Sequence, residues 1–271
     1  MIPLKNIIDI AINAGQKILT IYEKNNINVS YKSDQSPLTE ADQLSNHILV
    51  KELKKYNWPV LSEEGSEILF EDRSKWNKYW LIDPLDGTKE FINRNGEFTV
   101  NIALIDDGVP MAGIVYIPVT DQLYVGVIRN NLFSDCEYRA PFSLRSDHAS
   151  RGLDWSVLPD CNTDTVVILG SRSHRNKLTD DWIKEISKIH RDCRIESRGS
   201  SMKICALAEG SAHYYPRFAP TMEWDTAAAD AILRAAGGLI VKASDKTPLN
   251  YNKTSLVNPH FIAIGPGMKM Q

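Results

Sequence analysis

The sequence is poor in cysteine: among 271 residues there are four, Cys136, Cys161, Cys193 and Cys205, and no two of them form a C-x-x-C pair. That spacing excludes a thiolate zinc site or a disulfide framework, and reduced, mostly buried thiols are expected. Surplus positive charge is also missing, with 31 Lys and Arg against 34 Asp and Glu, so no global field exists to hold a long nucleic acid. No run approaches the roughly 20 apolar residues of a membrane span. The stretch from Ile7 to Ile21 is apolar on one face, but Asp9, Asn13, Gln16 and Lys17 interrupt it and no small-residue cleavage site follows. It therefore reads as an amphipathic helix rather than a leader. Internal repeats and low-complexity tracts are lacking, which excludes a solenoid. A cytoplasmic protein is expected. A peripheral place at the inner membrane stays open, although no basic amphipathic segment or lipidation motif argues for it.

What is present is a change of rhythm along the chain. Apolar residues at 7, 8, 10, 11, 14, 18, 21 and 22 follow helical period after Pro3. A second helix is predicted from about Thr39, with Leu44, Ile48, Leu49 and Leu53 on its buried face. Four β-rich runs, Trp80 to Ile82, Phe98 to Ile105, Ala112 to Ile117 and Leu123 to Ile128, are separated by turn signals, and three of these in quick succession predict an antiparallel meander. Residues 134 to 165 show little periodicity and read as a loop-rich junction. Beyond them strand and helix alternate: Val166 to Gly170, Lys177 to Ile189, Arg194 to Glu196, Met202 to Glu209 closed by Gly210, and a last helix from Asp225 to Ala236 stopped by Gly237-Gly238. The prediction is an α+β domain over 1–140 and an α/β domain over 141–271.

The most informative segment is Trp80-Leu81-Ile82-Asp83-Pro84-Leu85-Asp86-Gly87-Thr88, an apolar strand running into two carboxylates. Pro84 keeps Asp83 out of helical geometry and Gly87 permits a sharp turn. Asp-Pro and Asp-Gly pairs are also ordinary turn chemistry. Three further element ends are acidic: Ser62-Glu63-Glu64-Gly65 after a short apolar strand, Thr39-Glu40-Ala41-Asp42 at a helix start, and Trp224-Asp225-Thr226 at the head of an Ala-rich helix. Each has a plain reading as a cap, worth about 1 kcal/mol. Together they match what Mg²⁺ requires, which is hard oxygen ligands from a few carboxylates plus substrate phosphate.

At these residues the sequence resembles a known family. Asp83-Pro84-Leu85-Asp86-Gly87-Thr88 and Trp224-Asp225-Thr226-Ala227-Ala228 are similar to the two signature motifs of the inositol monophosphatase-like, Mg²⁺-dependent, lithium-sensitive phosphatases. The run from Asp83 to Ile105, Gly199-Ser200-Ser201-Met202-Lys203 and Tyr215-Pro216-Arg217-Phe218 further resemble its bacterial 3'(2'),5'-bisphosphate nucleotidase branch. The likeness implies an αβαβα sandwich, with an antiparallel N-terminal sheet and a smaller mixed C-terminal sheet. It implies that Glu63, Asp83 and the Leu85 carbonyl hold one Mg²⁺ and that Asp83, Asp86 and Asp225 hold a second, with a third during turnover left open. Glu63 is preferred to Glu64 by its place in the family pattern. Thr88, oriented by Asp42, is implied to position the water that attacks phosphorus.

The implied substrate is adenosine 3',5'-bisphosphate, hydrolysed to AMP and phosphate in the setting of sulfur assimilation. Its contacts are implied to be Glu63, Gly87, Thr88, His174, Ser200, Lys203, Arg217 and Asp225. From the residues alone, Ser200 and Lys203 sit at a helix start suited to a phosphate, though a capped surface helix has the same signature. Arg217 among tyrosines suits a phosphate or a base. His174 follows a predicted strand, at the usual ligand-facing edge of an α/β sheet, with Arg172 and Arg175 beside it. The alternatives are a sibling phosphatase for inositol phosphates or fructose 1,6-bisphosphate, and a catalytically silent nucleotide-binding module. No nucleic-acid partner is expected, and the chain is read as a monomer or a homodimer.

Overall fold

Helix α1 (Leu4–Tyr22) forms where the apolar stripe predicted it: Ile7, Ile8, Ala11, Ala14, Ile18 and Ile21 are buried, and Asp9, Asn13, Gln16 and Lys17 face solvent. The computed structural model describes residues 1–24, 29–31, 37–129, 132–135, 138, 140–161, 165–170, 176–190 and 192–269. After α1, strands β1 (Val29–Tyr31) and β2 (Pro37–Thr39) pair antiparallel and lead into α2 (Glu40–Leu53). A capping box starts α2, with the Thr39 side chain accepting a backbone N–H and the Asp42 side chain reaching back to the Thr39 amide. The buried stripe of α2 runs Ala41, Asp42, Ser45, Leu49 and Leu53, whereas Leu44 is 37% exposed, contrary to the apolar pattern. The stripe is rotated because Asp42 and Ser45 face the functional end of β4.

Next come β3 (Val60–Ser62), α3 (Phe70–Arg73), β4 (Lys78–Asp86), α4 (Thr88–Ile92), β5 (Thr99–Asp106), β6 (Val109–Ile117), β7 (Gln122–Val127), β8 (Phe142–Ser146) and β9 (Trp155–Val157). Strands β3 to β9 form a seven-stranded sheet in sequence order. The predicted meander is there from β4 to β7, and only the β3–β4 pair is parallel. The junction read over 134 to 165 is corrected: β8 and β9 lie within it and extend the sheet.

The second half supplies β10 (Val166–Gly170), α5 (Lys177–Ile189), β11 (Cys193–Ser197), α6 (Met202–Glu209), β12 (Tyr214–Arg217), α7 (Trp224–Ala235), β13 (Leu239–Lys242) and β14 (Phe261–Ile264). Its five strands make a mixed sheet in the order β11-β10-β12-β14-β13. The layers are therefore α1 and α2, the large sheet, α6 and α7, the small sheet, and α5. The first core lies between α1, α2 and the large sheet. A second core packs α6 and α7 between the inner faces of both sheets, and a third lies under α5.

The middle layer explains the Ala-rich helix. At Gly113 of β6 an added Cβ would lie 1.9 Å from the Ala228 carbonyl oxygen, so α7 rests directly on the sheet backbone. Ala227, Ala228 and Ala229 are the side chains that fit there. The boundary expected at residue 140 falls inside the large sheet, and the two halves share the core around α6 and α7. Among the described residues no helix is long and apolar enough to cross a membrane.

Candidate active site

A break in strand pairing builds the site. On β4, Asp83 pairs with Asn101 and Asp86 with Thr99, so between these pairs two residues, Pro84 and Leu85, oppose one, Val100. Strand side chains alternate between faces, and residues three apart would normally point oppositely. The extra residue at Pro84-Leu85 is a bulge that turns both carboxylates to one side. Local bonds hold it: the Ser45 hydroxyl donates to the Pro84 carbonyl at 2.7 Å, and the Leu85 amide donates to Asp83 Oδ1 at 3.1 Å. Gly87, at φ 97°, then reverses the chain into α4.

Asp225 arrives from α7. It does not cap that helix in the ordinary way, since its Oδ2 accepts the amide of Met222 at 2.8 Å, three residues back. Asn258 donates to the Met222 carbonyl at 2.7 Å and to Thr226 Oγ1 at 3.1 Å, fixing the turn. Buried Glu223 holds the facing loop by accepting the amides of Asn252 and Lys253 at 2.7 and 3.0 Å. As a result Asp83, Asp86 and Asp225 each offer a carboxylate oxygen within 4.8 Å of the others.

Burial and then the charges of Glu63, Asp86 and Asp225 push the Asp83 carboxyl well above its ordinary pKa. Asp225 is raised likewise, by burial first and Asp86 second. Glu63 follows β3 and hydrogen-bonds Asp83. A bond between two carboxyl groups needs a shared proton, which is what crowding without a cation produces. Hard oxygen donors, mutual repulsion and burial together fit a divalent cation of the Mg²⁺ type.

Asp86 is held by the loop before α6. Its Oδ2 accepts from the Ser200 hydroxyl at 2.7 Å, the Ser201 amide at 2.8 Å and the Ser201 hydroxyl at 2.9 Å. That loop is pinned to β5: Thr99 Oγ1 lies 2.6 Å from Ser200 Oγ, and Asn101 donates to Ser201 Oγ at 2.9 Å. Thr99 and Asn101 were not singled out from the sequence. Two polar residues at i and i+2 in a buried strand were the available signal.

Asp42 does two jobs. Its Oδ2 accepts the Thr39 amide and hydroxyl at 2.7 and 2.6 Å, while Oδ1 accepts the Thr88 hydroxyl at 3.1 Å. The Thr88 hydroxyl also lies 3.4 Å from the Leu85 carbonyl. Burial raises the Asp42 pKa, and hydrogen bonds from Thr39 and Thr88 oppose the shift.

Beside the carboxylates opens a cavity of about 130 Å³, lined by Asp86, Gly87, Ser200, Lys203, Arg217 and Asp225 among others. The structure thus brings these predicted residues to one place. A larger hollow of about 720 Å³ beside Trp182 and Phe218 lies under α5 and contains none of these acids, so the chemistry belongs to the smaller one. Helix α6 is buried along most of its length, which removes the capped-surface-helix reading of Ser200 and Lys203. Lys203 Nζ donates to the carbonyls of Ser200 at 2.9 Å and Arg198 at 3.1 Å and lies 5.4 Å from the Tyr215 ring centre. Burial brings its pKa down to about 8, against the pull of Asp86. Arg217 is 9% exposed, donates from Nη2 to the Pro220 carbonyl at 3.0 Å, and its buried Nε has no partner among the described residues. A buried unpaired donor is costly unless a ligand completes it. His174, with Arg172 and Arg175, lies outside the described residues.

The family model described as the inositol monophosphatase family matches residues 4–265. The chain is similar to the 3'(2'),5'-bisphosphate nucleotidase CysQ of Buchnera aphidicola, 39% identical over 96% of this chain and 92% of that protein. It is 40% identical to the Escherichia coli K12 protein of the same name, over 95% and 98% of the two chains. The crystal structure of CysQ from Bacteroides thetaiotaomicron, described as a bacterial member of the inositol monophosphatase family, superposes with a TM-score of 0.83 at 41% identity, covering 96% of each chain.

Proposed function

The chain belongs to the inositol monophosphatase family, and on that premise we propose that it is a 3'(2'),5'-bisphosphate nucleotidase that converts adenosine 3',5'-bisphosphate to AMP and phosphate. One observation carries the reading: the acidic triad and the cation-lined cavity share Asp86 and Asp225, so a phosphate at the triad places the rest of its ester beside Lys203 and Arg217.

Glu63, Asp83, the Leu85 carbonyl, Asp86 and Asp225 are the groups that would hold Mg²⁺, as two ions. Bound there, Mg²⁺ supplies Lewis-acid stabilisation of phosphate oxygens and acidifies water. The chain's own residues do the positioning. The Thr88 hydroxyl donates to Asp42 Oδ1, so its lone pairs face outward to accept from the attacking water and hold that water in line with phosphorus. Asp42, anchored by Thr39, keeps the hydroxyl from rotating. As the new P–O bond forms, the water gives up a proton through the Thr88 hydroxyl to Asp42, the bond from phosphorus to the nucleotide's 3' oxygen breaks, and that oxygen leaves with a proton from solvent. Arg217 Nε and the Ser200 region supply donors to the nucleotide beyond the reacting group.

Adenosine 3',5'-bisphosphate is what remains when a sulfuryl group leaves the corresponding phosphosulfate, which ties the activity to sulfur assimilation. The test is phosphate release, with Mg²⁺, from adenosine 3',5'-bisphosphate, inositol 1-phosphate and fructose 1,6-bisphosphate. Preference for the nucleotide, and inhibition by millimolar lithium, are expected. Release from inositol 1-phosphate alone refutes the substrate assignment.

A further inference from the structure

Arg73 ends the short helix α3 in the first half of the chain and does not line the cavity beside the carboxylates. The residue is nonetheless only 3% exposed. Its guanidinium is bonded to neutral groups: Nη1 donates to Asn252 Oδ1 at 2.8 Å, Nη2 donates to the Thr254 carbonyl at 2.8 Å, and the buried Nε has no partner among the described residues. A buried cation held this way is costly, so the position uses the planar fork rather than charge pairing. Asn252 closes the clamp by donating Nδ2 to the Arg73 carbonyl at 2.7 Å.

The clamp fixes a turn in the left-handed region. Asn252 has φ 64°, and its amide and that of Lys253 converge on the oxygens of buried Glu223 at 2.7 and 3.0 Å. Glu223 stands two positions before Asp225. Further along the same loop Asn258 donates to the Met222 carbonyl, and the Met222 amide holds Asp225 Oδ2. The loop is thus stitched at both ends to the segment that carries Asp225. Those stitches alone would let loop and acid move together. What ties the loop to the first half of the chain, where Asp83 and Asp86 sit, is Arg73 and, among the described residues, one further hydrogen bond, from the Tyr251 amide to the Gly108 carbonyl at 3.0 Å.

We propose that Arg73 is a positioning residue for the metal centre: through Asn252 it fixes the loop that sets Asp225 against Asp83 and Asp86, and so sets the affinity for Mg²⁺. The inference rests on the reading of the acidic triad as a Mg²⁺ site. The triad's oxygens come from both halves of the chain, and Mg²⁺ demands near-octahedral geometry with short bonds, so a small error in the place of Asp225 weakens binding.

Mg²⁺ binding is measured by calorimetric titration without substrate, for the wild type, Arg73→Met, Arg73→Lys, Asn252→Gly and the double variant of Arg73→Met with Asn252→Gly. Glycine suits the φ of Asn252 and removes only the clamped side chain. Ile186→Ala, in the core under α5, controls for lost stability alone. Arg73→Met and Asn252→Gly each raise the Mg²⁺ dissociation constant by roughly 10- to 100-fold, the range for removing a group that orients a metal ligand. The double variant is no weaker than the weaker single one, because both break one clamp. Arg73→Lys makes one bond of the fork and falls between. At saturating Mg²⁺ the KM for the nucleotide is unchanged, which separates lost metal from lost substrate contacts. Should Arg73→Met fail to fold, Asn252→Gly decides alone. An unchanged dissociation constant in the clamp variants, or equal weakening in Ile186→Ala, overturns the inference and leaves the nucleotidase reading intact. A wild-type protein that binds no Mg²⁺ overturns the metal reading and this inference with it.

Discussion

Replacing Asp83 by Asn should make the metal-free protein more stable while abolishing its activity. Asp83 faces Asp86 and Asp225 with oxygens no more than 4.8 Å apart, and at an effective dielectric of ~20 each fully ionised pair at that distance repels by about 3 kcal/mol. Proton uptake relieves much of this in the wild type, which is why burial and neighbouring charge raise the Asp83 and Asp225 pKa values. Asn keeps the oxygen that accepts the Leu85 amide and removes the charge. A gain of about 1–2 kcal/mol is expected, which at this chain length raises Tm in EDTA by about 2–8 °C. The pH dependence has a definite sign. Carboxyls raised above their unfolded values bind more protons in the folded state, so the contribution of Asp83 and Asp225 to wild-type stability in EDTA is greatest below pH about 4 and falls as pH rises towards the raised values. Asp83→Asn flattens that fall. Saturating Mg²⁺ inverts the order, since a ligand at a hundred times its Kd stabilises by about 2.7 kcal/mol and the variant has lost a ligand. Calorimetric melts of both proteins, at several pH values with EDTA or Mg²⁺, decide it. A variant Tm in EDTA at or below wild type at neutral pH, or equal Mg²⁺ stabilisation of both, refutes the reasoning.

Three other outcomes follow from the geometry. Thr88→Val removes the hydroxyl that links Asp42 to the water, so kcat should fall by about 10²–10⁴ while the Mg²⁺-induced shift in Tm persists, and loss of that shift would make Thr88 structural. Lys203→Met removes the donor to the Ser200 and Arg198 carbonyls and frees the loop that holds Asp86, so kcat should fall as KM rises; a change in KM alone, seen in steady-state kinetics, would return Lys203 to a pure binding role. Gly113→Ala drives a Cβ into the Ala228 carbonyl and should cost about 1–3 kcal/mol or more by denaturant titration, whereas an unchanged midpoint would mean α7 does not rest on β6 as described.

Much of the site was legible because its signals are local. Asp83-Pro84-Leu85-Asp86-Gly87-Thr88 carries its own geometry, since Pro84 and Gly87 restrict the backbone wherever the segment lands. The stripe of α1 was equally plain, its buried and exposed positions alternating at helical period. Other features depend on tertiary placement. Leu44 looks like a core residue, yet the stripe of α2 is centred on Asp42 and Ser45 because those two answer to β4. Strand β8 alternates as Phe-Ser-Leu-Arg-Ser, but its Ser- and Arg-rich surroundings concealed it, and β9 is only three residues long. The roles of Thr99 and Asn101 come from contacts across more than ninety positions of chain, and no spacing within a segment reports those.

The α7 helix lies in the middle layer, between two sheets that both contribute to its core, and it delivers Asp225. In time rather than space, this makes catalytic competence a late event. A chain emerging from the ribosome can complete the large sheet, with Asp42 and Asp83 in place, long before the serines that hold Asp86 or residue 225 exist. Only when α7 seats on Gly113 does the last acid join them. Regained turnover would therefore trail regained secondary structure during refolding, making activity a clock for the final docking step.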